Sequence, residues 1–430
     1  MTKVTPVIHN FIRFQGEKIL YTDPYLAEKE YNDADIILIT HSHFDHFSVE
    51  DIRKVQKEDT ILIAPESDRE IITEQSGFSS DKLYFMKAGE TLGFWAGEVV
   101  IEAVPAYNPG KKFHPKENGW LGYVITMEGK RYYVAGDTDE TPELLSVKAD
   151  VAYLPVGGTY TFTVEEAAET AAKMNVFTVV PTHYGCCAGE KTDGYRFNLL
   201  YVEKRLPQLK AYFESLGLPE SVYEETITDV DAKRRECRNV YGVDGIMHIQ
   251  NWYGKFLAGK IRRYGRLEFE LLTHDEVLQK SPEMAERMEG IPYMLNVHIP
   301  SNGGPFTAEA RLESYKRAYR DYVVREGLFP DGIMKTVCSS WLLFSGNRAM
   351  LPESSEIIGF MNEFMPLGEN PKETFTDAWR LFGASALKPV EEWDEKTTLQ
   401  RAYKAWILSG KQTGMGRGLA LFDGEKRITL

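Results

Sequence analysis

The chain has 430 residues, a length at which one hydrophobic core usually gives way to two domains. Its formal charge of -14 is spread along the sequence without a stripe of lysine and arginine, which argues against nucleic acid as a partner. Because there is no run of about 18 apolar residues and no charged-then-apolar start, we expect a cytoplasmic protein with no membrane partner.

The four cysteines show no spacing typical of a disulfide framework or of a zinc site built on cysteine. They are Cys186, Cys187, Cys237 and Cys338, and this pattern suits a reducing compartment. We expect Cys186 and Cys187 to be small buried residues, with the alternative that one of them faces a pocket beside His183. A metal site in this chain must therefore use other ligands.

Short β-branched runs alternate with polar turns through the first half, a pattern typical of buried strands. Helices are predicted over 49–56, capped by Ser48, and over 164–174, capped by Thr163. Strands interleaved with helices predict an α/β fold in which helices cover the sheets. The predicted strands cover 18–21, 36–40, 60–64, 99–104, 122–126, 131–135, 151–155 and 178–181.

Helical periodicity takes over from about residue 197, and we place the domain boundary between 205 and 206. Helices are predicted over 198–216, across this boundary, and from Thr228 onward. This domain is predicted to be helical to about 290 and mixed α/β from about 291. The mixed part is predicted to contain helices over 308–325 and 397–408, strands over 294–299 and 419–422, and a hairpin through Asp423 and Gly424 to 427–430.

The segment 40–47, THSHFDHF, follows a predicted strand and precedes a predicted helix. Residues two apart in an extended chain point the same way, so His41 and His43 can face one metal ion. The turn into the helix then redirects Asp45 and His46 toward a second ion. Zinc and similar metals favour imidazole nitrogen with some carboxylate oxygen, so the segment predicts a two-metal site.

This segment resembles the HxHxDH signature of the metallo-β-lactamase superfamily, whose fold is an αββα sandwich. Asp137 in GDTD follows a predicted strand, where that family has a carboxylate that bridges both metals. His183 in PTHYG follows another strand, where the family has its last histidine ligand. The resemblance implies two divalent ions, zinc first with manganese or iron as alternatives. It implies that the first ion is held by His41 and His43, the second by Asp45, His46 and His183, and both by Asp137.

One position departs from the family pattern. Where the family usually has a third histidine for the first metal, the sequence after 99–104 reads PAYN. His114 could replace that ligand, and Asn108 is the competing donor, because two histidines alone would bind a metal poorly. A branch of the superfamily with PAYN, FHP, GWxGY and GDTD, matched here through Trp120 and Tyr123, implies a variant active site. Asp23 either orients a ligand histidine through its second ring nitrogen or is a turn residue before proline.

Two close cations would lower the pKa of a bridging water enough to give hydroxide near neutral pH and would polarise a carbonyl or phosphoryl group. The first half is therefore predicted to be a metal-dependent hydrolase of a small-molecule ester, lactone, thioester or phosphodiester. In this reaction Asp137 would position the hydroxide and Asp45 could shuttle a proton. Tyr160 and Tyr184 are candidates to touch the substrate.

Strings in the second half, among them RYGRLEF at 263–269 and VHIP at 297–300, resemble an acyltransferase-type α+β domain related to the GNAT fold. That resemblance implies a coenzyme A derivative bound where a glycine-rich turn enters a helix. The glycine-rich candidate, QTGMGRG at 412–418, leads into a strand-like run and could instead be a flexible turn. His298 and Cys338 are either catalytic or core residues.

Two alternatives to the hydrolase stay open. The second half could be an acyl-CoA-dependent acyltransferase, with the metal domain as an accessory thioesterase or a scaffold. It could instead be a non-catalytic lid or a surface that forms a homo-oligomer.

Overall fold

The computed structural model describes residues 2–280 and 292–428. The chain divides into two compact units, Met1–Arg205 with His248–Gly254, and Leu206–Met247 with Lys255–Leu430. Each unit has its own sheets and its own hydrophobic core. Among the helices in the described residues, none is both long enough and apolar enough to cross a membrane.

The first sheet of the first unit has six strands, which lie side by side in chain order from β1 to β6. β1 to β3 are antiparallel, whereas β3 to β6 are parallel. The carboxyl ends of the parallel strands therefore share one edge of the sheet, and the chain leaves β4 at that edge. The bounds are Lys3–Ile8, Phe11–Gln15, Ile19–Thr22, Ala34–Leu38, Gln56–Pro65 and Leu83–Met86.

The second sheet of the first unit also has six strands in sequential order, β7 to β12. β7 to β10 are antiparallel, and β10, β11 and β12 are parallel. The carboxyl ends of β10 and β12 therefore lie at the same edge of this sheet. The bounds are Thr91–Phe94, Val99–Pro105, Leu121–Met127, Lys130–Val134, Val151–Pro155 and Thr178–Thr182.

Apolar side chains from both sheets form one core between them, with Ile36 and Ile63 from the first sheet and Ile101 and Ile125 from the second, all fully buried. The outer face of the first sheet packs in a separate core that includes Ile52 and Ile72 from two helices. The αββα sandwich is confirmed. Its helices are α1 (Val49–Val55), α2 (Arg69–Gln75), α3 (Pro142–Ser146) and α4 (Val164–Lys173).

The strands and helices predicted for the first half are present within a few residues of their predicted bounds. The prediction missed β1, β2, β6 and β7. Three of these are partly exposed edge strands, and an edge strand carries a weaker apolar pattern than a strand with neighbours on both sides. β2 has five residues, too few for a clear alternation.

The second half begins with helices and continues into a mixed sheet, which confirms the α+β GNAT-like class with a helical start. In the described residues the sheet order is β13-β14-β15-β16-β18-β17, and β19 pairs with β18. β15 and β16 are parallel, and the other pairs are antiparallel. The strands are Ile261–Tyr264, Leu267–Thr273, Tyr293–His298, Met334–Ser340, Met365–Lys372, Thr413–Phe422 and Arg427–Ile428. The helices are α5 (Asp193–Ser215), α6 (Glu220–Tyr241), α7 (Gln250–Leu257), α8 (His274–Lys280), α9 (Ala308–Tyr319), α10 (Asn347–Met350), α11 (Glu356–Met361), α12 (Ala378–Phe382) and α13 (Thr398–Leu408).

Two predictions for this half are wrong. The hairpin β13–β14 lies inside the stretch predicted to be helical to about 290, because its strands have only four and seven residues. Helix α6 begins at Glu220 after Pro219, so Thr228 lies inside the helix and does not start it. The predicted positions 281–291 and 429–430 lie outside the described residues.

The glycine-rich segment 412–418 is also not a turn, because from Thr413 onward it belongs to β18. Gly414, Gly416 and Gly418 occupy every second position, so one face of this part of the strand has no side chains. A Cβ at Gly414 would lie 2.7 Å from Phe344, and one at Gly418 would lie 2.5 Å from Phe364. These glycines therefore permit close packing in a strand and do not form a phosphate-binding loop.

Candidate metal centre

Six of the seven candidate ligands lie just beyond three strand ends, with Asp137 after β10 and His183 after β12. The third group follows β4, where the backbone turns tightly toward α1. In that turn the carbonyl of His43 accepts hydrogen bonds from the backbone N–H groups of His46, at 3.0 Å, and Phe47, at 2.8 Å. The turn gives His46 a different direction from His43, as the sequence predicts.

The first cluster contains His41, His43 and His114, whose nearest ring nitrogens all lie within 4.8 Å of one another. His41 Nε2 and His43 Nδ1 are 3.1 Å apart. Burial lowers the pKa of His114 to about 4 and lowers the pKa of His41 well below its ordinary value. Both imidazoles are therefore neutral near pH 7, which is the form that binds a metal ion.

The loop after β8 brings His114 into this cluster. The backbone N–H of Asn108 donates to the carbonyl of His114 at 2.8 Å, which closes the loop. His114 has a φ of 57°, a left-handed conformation that residues other than glycine adopt mainly at constrained sites. The side-chain amide of Asn108 donates to the carbonyl of Tyr160. The structure thus places His114 beside His41 and His43, and it ties the amide nitrogen of Asn108 to another loop.

The second cluster contains Asp45, His46 and His183. The Nε2 atoms of His46 and His183 lie 3.7 and 3.5 Å from Asp45 Oδ2. The same two nitrogens lie 3.3 and 3.2 Å from Asp137 Oδ1. Ligand atoms at about 2.0–2.2 Å from one tetrahedral zinc are separated by about 3.3–3.6 Å, so the distances from the two imidazole nitrogens to each carboxylate suit ligands of one ion.

Asp137 lies between the two clusters. While its Oδ1 faces His46 and His183, its Oδ2 lies 3.4 Å from His114 Nε2 and 3.9 Å from His41 Nε2. Burial alone would raise the pKa of Asp137, but His183 and His46 hold it well below its ordinary value. The carboxylate is therefore ionised, with one oxygen directed to each cluster.

Five buried atoms of the candidate ligands have no hydrogen-bond partner among the described residues: His46 Nε2, His114 Nδ1, His183 Nδ1, His183 Nε2 and Asp137 Oδ1. Three of them, His46 Nε2, His183 Nε2 and Asp137 Oδ1, lie at the second cluster. A buried polar atom left without a partner costs about 1–3 kcal/mol. One divalent cation in the second cluster would satisfy all three atoms at once. The side chains that are present therefore fit the metals that the resemblance implies.

Asp23 supports the second cluster from below. It is fully buried, its Oδ2 accepts a hydrogen bond from His46 Nδ1 at 2.8 Å, and its Oδ1 accepts one from the backbone N–H of Thr40 at 2.8 Å. Of the two roles that the sequence left open for Asp23, the structure shows the one in which it orients a histidine. His183 is restrained by Gly157, where a Cβ would lie only 2.6 Å from His183 Nδ1.

Trp120 forms a wall of the first cluster. Its ring centroid lies 4.9, 4.7 and 4.9 Å from those of His41, His43 and His114. The indole Nε1 donates to Asp68 Oδ1 at 3.2 Å, which fixes the ring against the imidazoles. The GWxGY motif identifies Trp120 from the sequence, whereas no local motif identifies Asp68.

His9 is a further side chain at the second cluster that was not predicted from the sequence. This residue lies between β1 and β2, is buried, and has a left-handed φ of 58°. Its Nε2 is 3.0 Å from Asp45 Oδ2, and its ring centroid is 3.8 Å from that of His183. A histidine in a tight turn between strands would have been a signal, but neither of those strands was predicted.

Three further expectations concern side chains near the site. Cys186 and Cys187 are exposed, so the expectation that they are buried is wrong. They follow the turn after His183 and do not enter the core. The hydroxyl of Tyr184 lies 3.1 Å from His248 Nε2. The ring of Tyr160 is 43% exposed and packs edge-on against Phe113, which leaves it accessible to a ligand.

Comparison with family models gives three matches along the chain. A beta-lactamase superfamily domain matches residues 7–184, an N-acyltransferase N-terminal domain matches 150–259, and a GNAT-like C-terminal domain matches 261–420. The first two models overlap over 150–184.

Individual proteins match the same regions. A UPF0173 metal-dependent hydrolase from Pyrococcus abyssi is 30% identical over 224 residues, which are 47% of this chain and 94% of the relative. A crystal structure described as a metal-dependent hydrolase from Parabacteroides distasonis is 35% identical, has a TM-score of 0.39, and is matched over 45% of this chain and 87% of its own. A crystal structure of an acyltransferase in complex with decanoyl-CoA is 22% identical, has a TM-score of 0.46, and is matched over 60% of this chain and 76% of its own.

Proposed function

The chain belongs to the metallo-β-lactamase superfamily, among its UPF0173 metal-dependent hydrolases, and on that premise we propose a two-metal hydrolase of small-molecule esters, lactones, thioesters or phosphodiesters. The proposed ions are zinc, with manganese or iron as alternatives. Zinc is favoured because imidazole nitrogen predominates among the donors. The proposed ligands are His41, His43, His114, Asp137, Asp45, His46 and His183.

The position of Asp137 is the observation that carries this proposal. Its two carboxylate oxygens face different histidine clusters at 3.2–3.9 Å, and the group is buried and ionised. Within the described residues, the ion-pair partners of Asp137 are all histidines. A buried carboxylate without a lysine or arginine needs another cation close by. Burial lowers the pKa of His46 and His183, but the carboxylates beside them raise both above the ordinary value, so their protons supply that charge until metal ions displace them.

When bound, two divalent ions lower the pKa of a water molecule and polarise the scissile group. The protein supplies orientation. Asp137 would hold the attacking oxygen in line with the substrate, and Asp45, whose side chain is 12% exposed, would pass a proton toward the leaving group. Trp120 would exclude bulk water from the first cluster, which strengthens the electrostatic interactions there.

Metal analysis combined with two variants tests the proposal. The purified protein, prepared without chelator, should contain about two divalent ions per chain and hydrolyse at least one of a panel of nitrophenyl esters, lactones, thioesters and bis-nitrophenyl phosphate. His43→Ala and Asp137→Asn should abolish turnover and reduce the metal content. His274→Ala, at an exposed histidine of α8, is the matched control and should change neither. A protein that is free of metal and still active would contradict the proposal.

We further propose acyl transfer from a coenzyme A thioester as a second activity, in the second unit. The two acyltransferase-type family models favour it. The structure also contains a glycine turn other than the one named from the sequence: Gly303 and Gly304, with φ of 109° and 80°, lie between β15 and α9. Thr307 caps α9 by accepting a hydrogen bond from the backbone N–H of Ala310. The backbone N–H groups ahead of Ala310 at this helix start are the proposed donors to an anion such as a pyrophosphate.

Neighbouring groups hold this turn in place. Arg263 donates to Asn302 Oδ1 at 2.6 Å and to the carbonyl of Asn302 at 2.8 Å. In the described residues, β15 and β16 form backbone pairs at two positions, Leu295 with Thr336 and Asn296 with Val337. Beyond these two positions the strands do not continue as a hydrogen-bonded ladder. An extended ligand could therefore reach backbone groups at the ends of these strands.

His298 is the proposed general base of this activity. Its Nε2 lies 2.8 Å from Glu270 Oε2, and Glu270 is buried while the His298 side chain is 33% exposed. A carboxylate that holds one ring nitrogen leaves the other free to take a proton from an acceptor amine or hydroxyl. Cys338 is buried, and burial raises the pKa of its thiol, so we propose a packing role for it.

Calorimetry with coenzyme A on the full chain tests the second activity. Binding is expected for the natural sequence, and Gly303→Ala should weaken it, because a Cβ there would meet Arg263 and the positive φ disfavours alanine. His298→Gln should keep coenzyme A binding but lower acyl transfer by about 100-fold or more, whereas His274→Gln should be silent. No heat at high coenzyme A concentration would rule out this activity.

A further inference from the structure

Two exposed thiols and one buried imidazole form a cluster beside the second metal site. Cys186 and Cys187 follow β12, and His9 lies between β1 and β2, so the three residues come from distant parts of the chain. Their donor atoms all lie within 4.8 Å of one another. None of the three belongs to the ligand set proposed for the two-metal centre.

The spacing of these atoms matches one tetrahedral site. Cys186 Sγ and Cys187 Sγ are 3.7 Å apart, and they lie 3.3 and 3.9 Å from His9 Nδ1. With Zn–S bonds of about 2.3 Å and Zn–N bonds of about 2.0–2.1 Å, tetrahedral edges are about 3.8 Å between two sulfurs and about 3.5 Å between sulfur and nitrogen. The three separations thus have the lengths of tetrahedral edges. Cys186 Sγ already faces His9 Nδ1, whereas Cys187 Sγ also lies 3.6 Å from both His9 Nε2 and Asp45 Oδ2, so its exposed side chain would rotate to reach the ion.

The opposite ring nitrogen of His9 has the partner that metal-binding histidines usually have. His9 Nε2 lies 3.0 Å from Asp45 Oδ2, in a position to donate its proton to that carboxylate. Such a bond fixes the tautomer in which Nδ1 carries a free lone pair. That lone pair is directed to the side where Cys186 lies 3.3 Å away.

The thiol cluster differs from the two-metal centre in its donors and its access. The centre uses imidazole and carboxylate atoms that are largely buried, whereas Cys186 and Cys187 are both exposed. Sulfur ligands select thiophilic cations such as zinc, cadmium or cobalt over magnesium or calcium. An exposed site of this kind leaves its fourth position open to water or to an outside ligand.

We propose that His9 Nδ1, Cys186 Sγ and Cys187 Sγ bind a third, thiophilic divalent cation, separate from the two ions of the hydrolytic centre. Binding would convert both thiols to thiolates and release two protons to solvent, with no change of oxidation state. Because His9 also contacts Asp45, occupancy of this site would hold that ligand of the second ion in one position.

Cobalt titration of the full chain under reducing, oxygen-free conditions tests the site. Thiolate coordination gives a charge-transfer band in the near ultraviolet, which imidazole and carboxylate ligands do not produce. The natural sequence should show this band and bind one cobalt ion more per chain than the double variant Cys186→Ser, Cys187→Ser. The double variant should lose both the band and that one ion, and it should keep the ions of the main centre. Cys237→Ser, which removes a thiol of α6, is the control and should retain the band.

Two results would overturn the proposal. One is a natural-sequence protein without the band at saturating cobalt. The other is a double variant that loses the band but binds as many ions as the natural sequence, because the thiols would then be ligands of the main centre. X-ray absorption of the zinc-loaded natural protein adds a test without any substitution: sulfur neighbours at about 2.3 Å are expected, and a spectrum with nitrogen and oxygen neighbours alone would contradict the site.

Discussion

The two units bury their ionisable side chains in opposite ways. In the first unit, Asp137 is surrounded by histidines, and five ligand atoms lack a hydrogen-bond partner in the described part of the chain. In the second unit, Arg311 is 1% exposed and donates to Glu363 at 2.8 Å and to Glu356 at 3.0 Å. Arginine neutralises a carboxylate with a permanent charge, whereas His46 and His183, whose pKa values are raised beside Asp137, neutralise it with protons that a metal ion can displace. The kind of partner, and not burial, therefore distinguishes a ligand site from a structural ion pair.

The largest effect is expected where an internal pair is broken. Arg311→Leu removes one of the two arginine partners of the buried Glu363, the other being Arg427 at 2.8 Å, and also takes a donor from the carbonyl of Phe306. The free energy of unfolding should therefore fall by about 3 kcal/mol, with or without metal. Chemical denaturation of the full chain, followed by a probe in the second unit, measures the change. Arg320→Leu, in an exposed pair with Glu313 at 3.2 Å, is the control and should cost at most about 1 kcal/mol. Equal losses for both variants would show that burial does not set the energy of these pairs.

Withdrawal of metal should affect the first unit alone. If free metal is present at about a hundred times its dissociation constant, binding stabilises the folded form by about 2.7 kcal/mol, and a chelator should remove that amount. Hydrogen exchange measures it separately in β10 and in β14. Protection should fall in β10 and stay unchanged in β14, and His43→Ala should reduce the response of β10. A uniform loss in both strands would contradict the contrast between the units.

A smaller effect is expected from the residue that orients a ligand without touching the ion. Asp23→Asn keeps the size of the side chain but weakens the hydrogen bond that it accepts from His46 Nδ1. The affinity for the second ion should therefore fall by about 10–100-fold. Competition with a chromophoric chelator measures this change. Asp59→Asn, at an exposed aspartate of β5, should leave the affinity unchanged. Unchanged affinity in Asp23→Asn would reduce Asp23 to a purely structural role.

Sequence patterns predicted the site where several ligands lie close together along the chain. His41, His43, Asp45 and His46 occur within six residues, so the local geometry of a strand and a turn is enough to suggest two ions. Sequence patterns did not predict a site residue that stands alone in a turn far along the chain from the other ligands. His9 is such a case, because one histidine in a short hairpin has no local signature. Glycines were a second source of error, since Gly414, Gly416 and Gly418 serve strand packing, whereas Gly303 forms the turn before a helix.

The sequence by itself determined the metal-binding motif, the αββα class of the first half, and the change to helical periodicity that precedes the GNAT-like half. These features depend on residue type and short-range periodicity, which the order of amino acids states directly. Tertiary structure alone decided that His114 approaches the first cluster, that Asp137 turns one oxygen to each cluster, and that His9 joins Asp45 to two thiols. Such contacts join residues tens of positions apart or more, and their distances follow from how sheets and loops pack, which local sequence does not specify.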